Sequence, residues 1–142
     1  MLLLLFLKLI MKEIIIKAQV SLASPNKRKV VKEWVIGFPQ YNWVSHKGYM
    51  LEEIKTKEGA SYYVYLETVC LDTNLKDSKG NNIFNNDIIE VRYEGEEPKK
   101  WVVCFNKLTG TYRLKMYEGH GERMIFPLNE RAVVIGNIID KK

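Results

Sequence analysis

Apolar and polar positions alternate in short runs along this chain, and no segment holds a long apolar stripe of helical period. Lys12–Val20 alternates enough for a first strand, with Ile14 and Ile16 on one face and Lys17 and Gln19 near its end. "VVKEWVIGF" (30–38) is apolar and β-branched, which favours a second strand. "PQYNWVSHKG" (39–48) reads as an aromatic, packed loop, and 48–57 fits a helical turn or a strand equally. "ASYYVYLETVCLDT" (60–73) predicts one strong strand, with Tyr63, Tyr65 and Glu67 on one face and Tyr62, Val64 and Leu66 on the other. Beyond it, "DIIEVRYE" (87–94) is a strand closed by the acidic turn "EGEEPKK". "WVVCF" and "YRLKMY" flank "NKLTG" (106–110), a hairpin connection. "EGHGER" (118–123) is a further turn and "AVVIGNII" (132–139) a last strand. Many short strands with Gly, Asn and Pro turns predict a mostly β domain, a small barrel or a sandwich.

The 142 residues fit one ordinary domain with its own core. An apolar fraction of 46% with 27% charged residues is that of a soluble globular chain. The formal charge of +5 is unevenly placed. Residues 1–40 hold seven Lys and Arg against two acids, whereas 41–142 hold fifteen of each. The excess centres on "NKRKVVK" (26–32), so the C-terminal two-thirds has no bulk electrostatic reason to bind nucleic acid. Cys70 and Cys104 lie in strand-like apolar runs and read as reduced thiols acting as small hydrophobes; a bridge is possible if their strands are neighbours, but nothing requires one. "MLLLLFLKLI" is shorter than the roughly 20 apolar residues that span a bilayer, and Lys8, Lys12, Glu13 and Lys17 interrupt it as a signal peptide. Residues 1–10 therefore read as an apolar arm or an over-called start, with Met11 as the ordinary beginning and the cytoplasm as the expected compartment.

The polar run "LKDSKGNNIFNNDIIEV" (75–91) poses the sharpest chemical question. As a calcium loop begun at Asp77 it has Lys79 at the third position and Ile88 at the twelfth; begun at Asp72 it has Asp77 at the sixth and Ile83 at the twelfth. Neither spacing holds a metal. As a phosphate cradle it lacks Gly-Lys-Ser/Thr and a following helix. What remains is geometric. Asp77 and Ser78 can accept backbone hydrogen bonds, Gly80 and Asn81 tolerate positive φ, Ile83 and Phe84 anchor the core, and Asp87 closes a second bend at Asn85–Asn86.

These residues resemble the signature of the YopX family of phage and prophage proteins, a pattern running T-G-L-K-D-x-N-G-x-x-I-Y-E-G-D-I-V. The matching positions are Thr73, Leu75, Lys76, Asp77, Gly80, Ile83, Asp87 and Ile88. "VVIGNIID" is similar to the family's closing V-I-G-N-I-Y through Val134, Ile135, Gly136, Asn137 and Ile138, and "MKEIIIKAQ" is similar to its usual start. Asn74 and Asn86 stand where the family has Gly, and Asn is the non-Gly residue most at ease at positive φ. The resemblance implies a small SH3-like β-barrel in the C-terminal half, residues 61–142; in this mostly β chain an N-terminal strand/loop region, 11–60, is expected to precede it and pack on it. Its motif residues Leu75, Asp77, Gly80, Ile83, Asp87, Gly136 and Asn137 carry a structural role, and it supplies no catalytic residue.

Other candidates are sparse. His46 and His120 are far apart and lack a third ligand, so no metal site is expected. Glu52–Glu53 and Glu94, Glu96 and Glu97 read as solvated charges rather than an acid/base pair. Tyr62, Tyr63 and Tyr65 are shared between two strand faces, which suits packing better than base stacking. No Ser-His-Asp or Cys-His motif is present, and no cofactor is expected. The expectation is a non-enzymatic interaction module, encoded by phage or prophage and binding a host or phage protein. The alternative is a nucleic-acid-binding accessory protein using Lys27, Arg28, Lys29 and Lys32 with Trp34 and Trp43. Self-association stays open, because exposed aromatics and edge strands permit it.

Overall fold

The computed structural model describes residues 14–21, 33–119, 121–124 and 131–141. The 1–10 arm, His120 and the basic residues Lys27, Arg28, Lys29 and Lys32 lie outside them. The described residues are mostly β, in two antiparallel sheets with two short 3-10 helices. The chain divides into two units, Met1–Leu71 and Asp72–Lys142. No helix among the described residues is long and apolar enough to cross a membrane.

In the first unit, β1 (Ile16–Gln19), β2 (Trp34–His46), β3 (Tyr49–Lys55) and β4 (Ser61–Tyr65) form a meander in the order β4-β3-β2-β1. The first two residues of β5 (Cys70–Lys76) pair β1 on its other side, Lys17 opposite Cys70. Beyond β1, Val20 bridges Val64 and the Ser21 N–H donates to the Tyr63 carbonyl at 2.8 Å, so the first strand of the meander also touches the last. Ile16, Ala18, Ile54 and Val64 form the core, with Val35, Tyr62 and Val69 against it.

Three sequence expectations change here. Residues 39–46 are strand rather than loop, because β2 runs through them to a tight turn at Lys47–Gly48 with His46 opposite Tyr49. Both turn residues are left-handed, φ 48° and 84°, the twist a two-residue hairpin needs. The ambiguous 48–57 segment is β3. The single strand expected over 60–73 is broken by a 3-10 helix, Leu66–Thr68. There the Thr68 hydroxyl donates to the Tyr65 carbonyl at 2.7 Å and accepts the Gln19 N–H at 2.9 Å. A hydroxyl serving two backbone partners stabilises the bend against the extended chain that alternation predicts.

In the second unit, β5 past Leu71 pairs β6 (Asn82–Phe84). Five further strands, β7 (Asp87–Val91), β8 (Lys99–Asn106), β9 (Thr111–Met116), β10 (Glu122–Met124) and β11 (Ala132–Asn137), lie in the order β10-β9-β8-β7-β11. Among the described residues these strands do not close into a barrel. Ile83, Ile89, Val91, Trp101, Val103, Leu114 and Ala132 form the core, and each large member contributes about 1.5–3 kcal/mol by leaving water. The 106–110 hairpin is present, with Asn106 opposite Thr111. The "EGHGER" turn is shorter than expected, since Glu122 already pairs Lys115 and its carboxylate meets the Arg113 guanidinium at 3.2 Å.

Candidate functional site

The motif loop is built from bends that the sequence requires. Asp77 follows β5, and its Oδ1 accepts the N–H groups of Lys79 and Asn81, both at 2.9 Å. Its Oδ2 accepts the Val134 N–H on β11 at 3.0 Å, while the Ser78 N–H donates to the Ala132 carbonyl at 2.8 Å. Gly80 sits at φ 83° with open space around its missing Cβ, so backbone conformation alone selects glycine there. The turn thus covers part of the outer edge of β11, which would otherwise present unpaired backbone groups. Burial pushes the Asp77 carboxyl up, but the amides of Val134, Asn81 and Lys79 and the Asn81 side chain outweigh it and hold the group below the ordinary aspartate range.

A second bend follows at Asn85–Asn86. Asp87 is fully buried; its Oδ2 accepts the Phe84 N–H at 2.8 Å and its Oδ1 accepts the Asn137 side-chain N–H at 2.9 Å. Asn137 Oδ1 in turn accepts the Ile139 N–H at 2.9 Å. Asn74 and Asn86 are both left-handed, at φ 64° and 73°. Ile83, Phe84 and Ile88 are buried beside these bends, and Leu75 is half-buried against the core. Gly136 is less constrained, since an added Cβ would lie at an ordinary 3.9 Å from Ile88. The Asp77 and Asp87 carboxylates are engaged with backbone amides and with the Asn81 and Asn137 side chains, whereas the buried Asn85 Oδ1 has no hydrogen-bond partner. Among the described residues no group of three His, Cys, Asp or Glu side chains is placed to hold a metal.

The other site residues lie in the first unit. Trp34, half-buried at the start of β2, pairs Gln19, and the Lys17 ammonium stands 5.1 Å from its ring centroid. Trp43 is 59% exposed. The two are not brought together: Trp34 lies on the β2 face opposite that of Val35 and Gly37, whereas Trp43 shares the core face. Their register explains this. Pro39 opposes Ile54 and Trp43 opposes Glu52, so β2 takes four steps against two on β3 and alternation stays in phase across the bulge.

Within that bulge Tyr41 is left-handed, φ 58°, and its N–H donates to Glu52 Oε1 at 2.8 Å. Glu52 is therefore buried, 3% exposed, and not the solvated charge expected of it. Asn42 Nδ2 donates to Glu53 Oε2 at 3.1 Å. Past Glu52 the core face of β2 and β3 continues as Trp43 and Met50, both about half exposed or more, with Tyr41 at 46% beside them. On the opposite face of the same hairpin, Tyr49 and Tyr65 meet edge to face at 5.3 Å. Sequence reading missed Tyr41, Tyr49 and Met50 because the hairpin was not legible, although "Lys-Gly" between alternating residues was its signal.

The remaining candidates are placed simply. His46 is exposed, as are Glu94, Glu96 and Glu97. Tyr62 packs against the first core. Cys70 is buried and Cys104 half-buried, neither in a disulfide. Burial, then the Glu122 charge, push the Cys104 thiol up, against the opposing pull of Lys115 and Arg113. No protein-family model matches the chain, and no curated protein matches it.

Proposed function

We propose that this chain is a non-enzymatic interaction module of YopX type, encoded by phage or prophage and acting in the bacterial cytoplasm, that binds a host or phage protein. The observation that carries it is the bulged β2–β3 hairpin, which holds Trp43 (59% exposed) and Met50 (49%) in water on the same face as the buried core. Exposed aromatic and methionine side chains on a rigid element are the composition of protein-contact hot spots, and a strained bulge fixed by a buried carboxylate holds them in one orientation. The C-terminal unit is read as SH3-like on its strand order: β7, which opens the meander, lies between β8 and the chain-final β11.

A pull-down from induced cells with wild type and Trp43→Ala, in nuclease-treated and untreated arms, tests this reading. Nuclease-resistant capture of a discrete protein, lost in the variant, is expected; capture unchanged by Trp43→Ala overturns it. The second reading is nucleic-acid binding through Lys27, Arg28, Lys29 and Lys32, favoured by the Lys17 ammonium beside Trp34, a pairing suited to a phosphate next to a stacked base. It requires steep loss of affinity for generic DNA or RNA with rising salt, and absence of binding at low salt ends it.

A further inference from the structure

Leu108 is 98% exposed, and the turn that carries it is fully tied down. Asn106 Oδ1 accepts the N–H groups of Leu108 and Thr109, at 2.9 and 3.3 Å, and the Gly110 N–H donates to the Asn106 carbonyl at 2.8 Å with Gly110 left-handed at φ 69°. The Thr109 and Thr111 hydroxyls meet at 2.7 Å, and Phe105 and Tyr112 stack edge to face at the base of the tip. A leucine held in water by a rigid turn loses little conformational freedom when it is buried, because its backbone is already ordered. Lys107 precedes it, so the tip offers an aliphatic side chain next to a positive charge.

A complementary feature exists in the first unit. Gly48, Tyr49, Met50, Tyr65, Leu66 and Glu67 line a cleft of about 310 Å³, at the small end of the roughly 300–1,000 Å³ range of ligand sites. The Tyr49–Tyr65 pair forms one wall, Leu66 is 37% exposed, and Glu67 is exposed at the rim. The cleft is thus apolar with a negative edge, where the tip is apolar with a positive one. We propose that the occupant of this cleft is the β8–β9 tip of a second copy of this chain, with Leu108 inserted against Tyr49 and Tyr65 and Lys107 facing Glu67. Tip and cleft are different surfaces, so each copy offers one of each, and the contact either closes on itself or runs on as an open chain. The inference goes beyond the module reading and needs no foreign partner.

Sedimentation velocity of the full chain tests it. A contact of one leucine and one ion pair is weak, so average mass should climb with concentration over roughly 0.1–1 mM. Leu108→Asp, which keeps the cleft only, and Leu66→Asp, which keeps the tip only, should each stay monomeric, and their mixture should stop at a one-to-one heterodimer. Lys107→Glu and Glu67→Lys should each weaken association about tenfold or more, and combining them should restore it. Wild type monomeric throughout, Leu108→Asp associating like wild type, or an equal mixture failing to pair overturns the proposal. Trp43 takes no part in the contact, so the pull-down of Trp43→Ala reports on the module reading separately.

Discussion

Asp77 does at one position what several residues often share. Its carboxylate serves three backbone amides drawn from its own turn and from β11, 57 residues away. Replacing it by Ala should cost about 2–4 kcal/mol in urea unfolding, since buried amides that lose an acceptor cost about 1–3 kcal/mol each and the exposed ones less. Its titration has a definite sign. An unperturbed aspartate titrates near 3.9, whereas folded Asp77 sits below its ordinary value. The unfolded chain therefore takes up the proton first, and the stabilisation, complete above that pH, is lost as pH falls toward the folded value. Urea titrations between pH 7 and pH 3 should show the gap between wild type and Asp77→Asn narrowing through that window; a constant gap contradicts the assignment. At Asn86, φ 73° makes Asn86→Gly neutral or stabilising, while Asn86→Val should cost about 1–2 kcal/mol. Gly136→Ala should be tolerated, because an ordinary contact with Ile88 is all the new methyl meets. At this scale the motif was readable from sequence, since bend-forming residue types have few other uses. The burial of Glu52 was not, because its partner amide comes from a bulge that no local pattern announces.

At the scale of elements, the β2–β3 hairpin depends on close backbone approach. A Cβ at Gly37 would lie 2.5 Å from the Lys55 carbonyl oxygen, a backbone atom that cannot turn aside. Gly37→Ala should destabilise the first unit by about 1–3 kcal/mol, and it should also alter Trp43 fluorescence as the bulge shifts; thermal and fluorescence unfolding together check this. The strands were legible where a short apolar run is bounded by turn residues, as in β7 and β8. They were lost where alternation was interrupted by a bulge at 40–42 or read straight through a 3-10 turn at Leu66–Thr68. Propensity describes one residue at a time, and both features are set by partners on other strands.

For the whole molecule, two cores of different membership fill the two units. Ile54→Ala empties a fully buried site in the first and Leu114→Ala one in the second, each at about 2–5 kcal/mol. Trp101 belongs to the second core, whereas Trp34 and Trp43 lie in the first unit. With Trp34→Phe and Trp43→Phe in place, fluorescence of Trp101 should follow Leu114→Ala directly, and equal sensitivity to Ile54→Ala shows instead that both units unfold as one.

By itself the amino-acid sequence determined that this chain is mostly β, where its principal turns lie, and that the Asp77–Asp87 segment bends the backbone, because these follow from side-chain period and from the few residues that accept positive φ. The tertiary structure decided the register: which strand flanks which, that Trp34 and Trp43 point to opposite faces, that Glu52 is buried, and that Trp43, Met50 and Leu108 remain in water. Register depends on hydrogen bonds between residues distant along the chain, and a one-residue change in pairing moves every side chain to the other face.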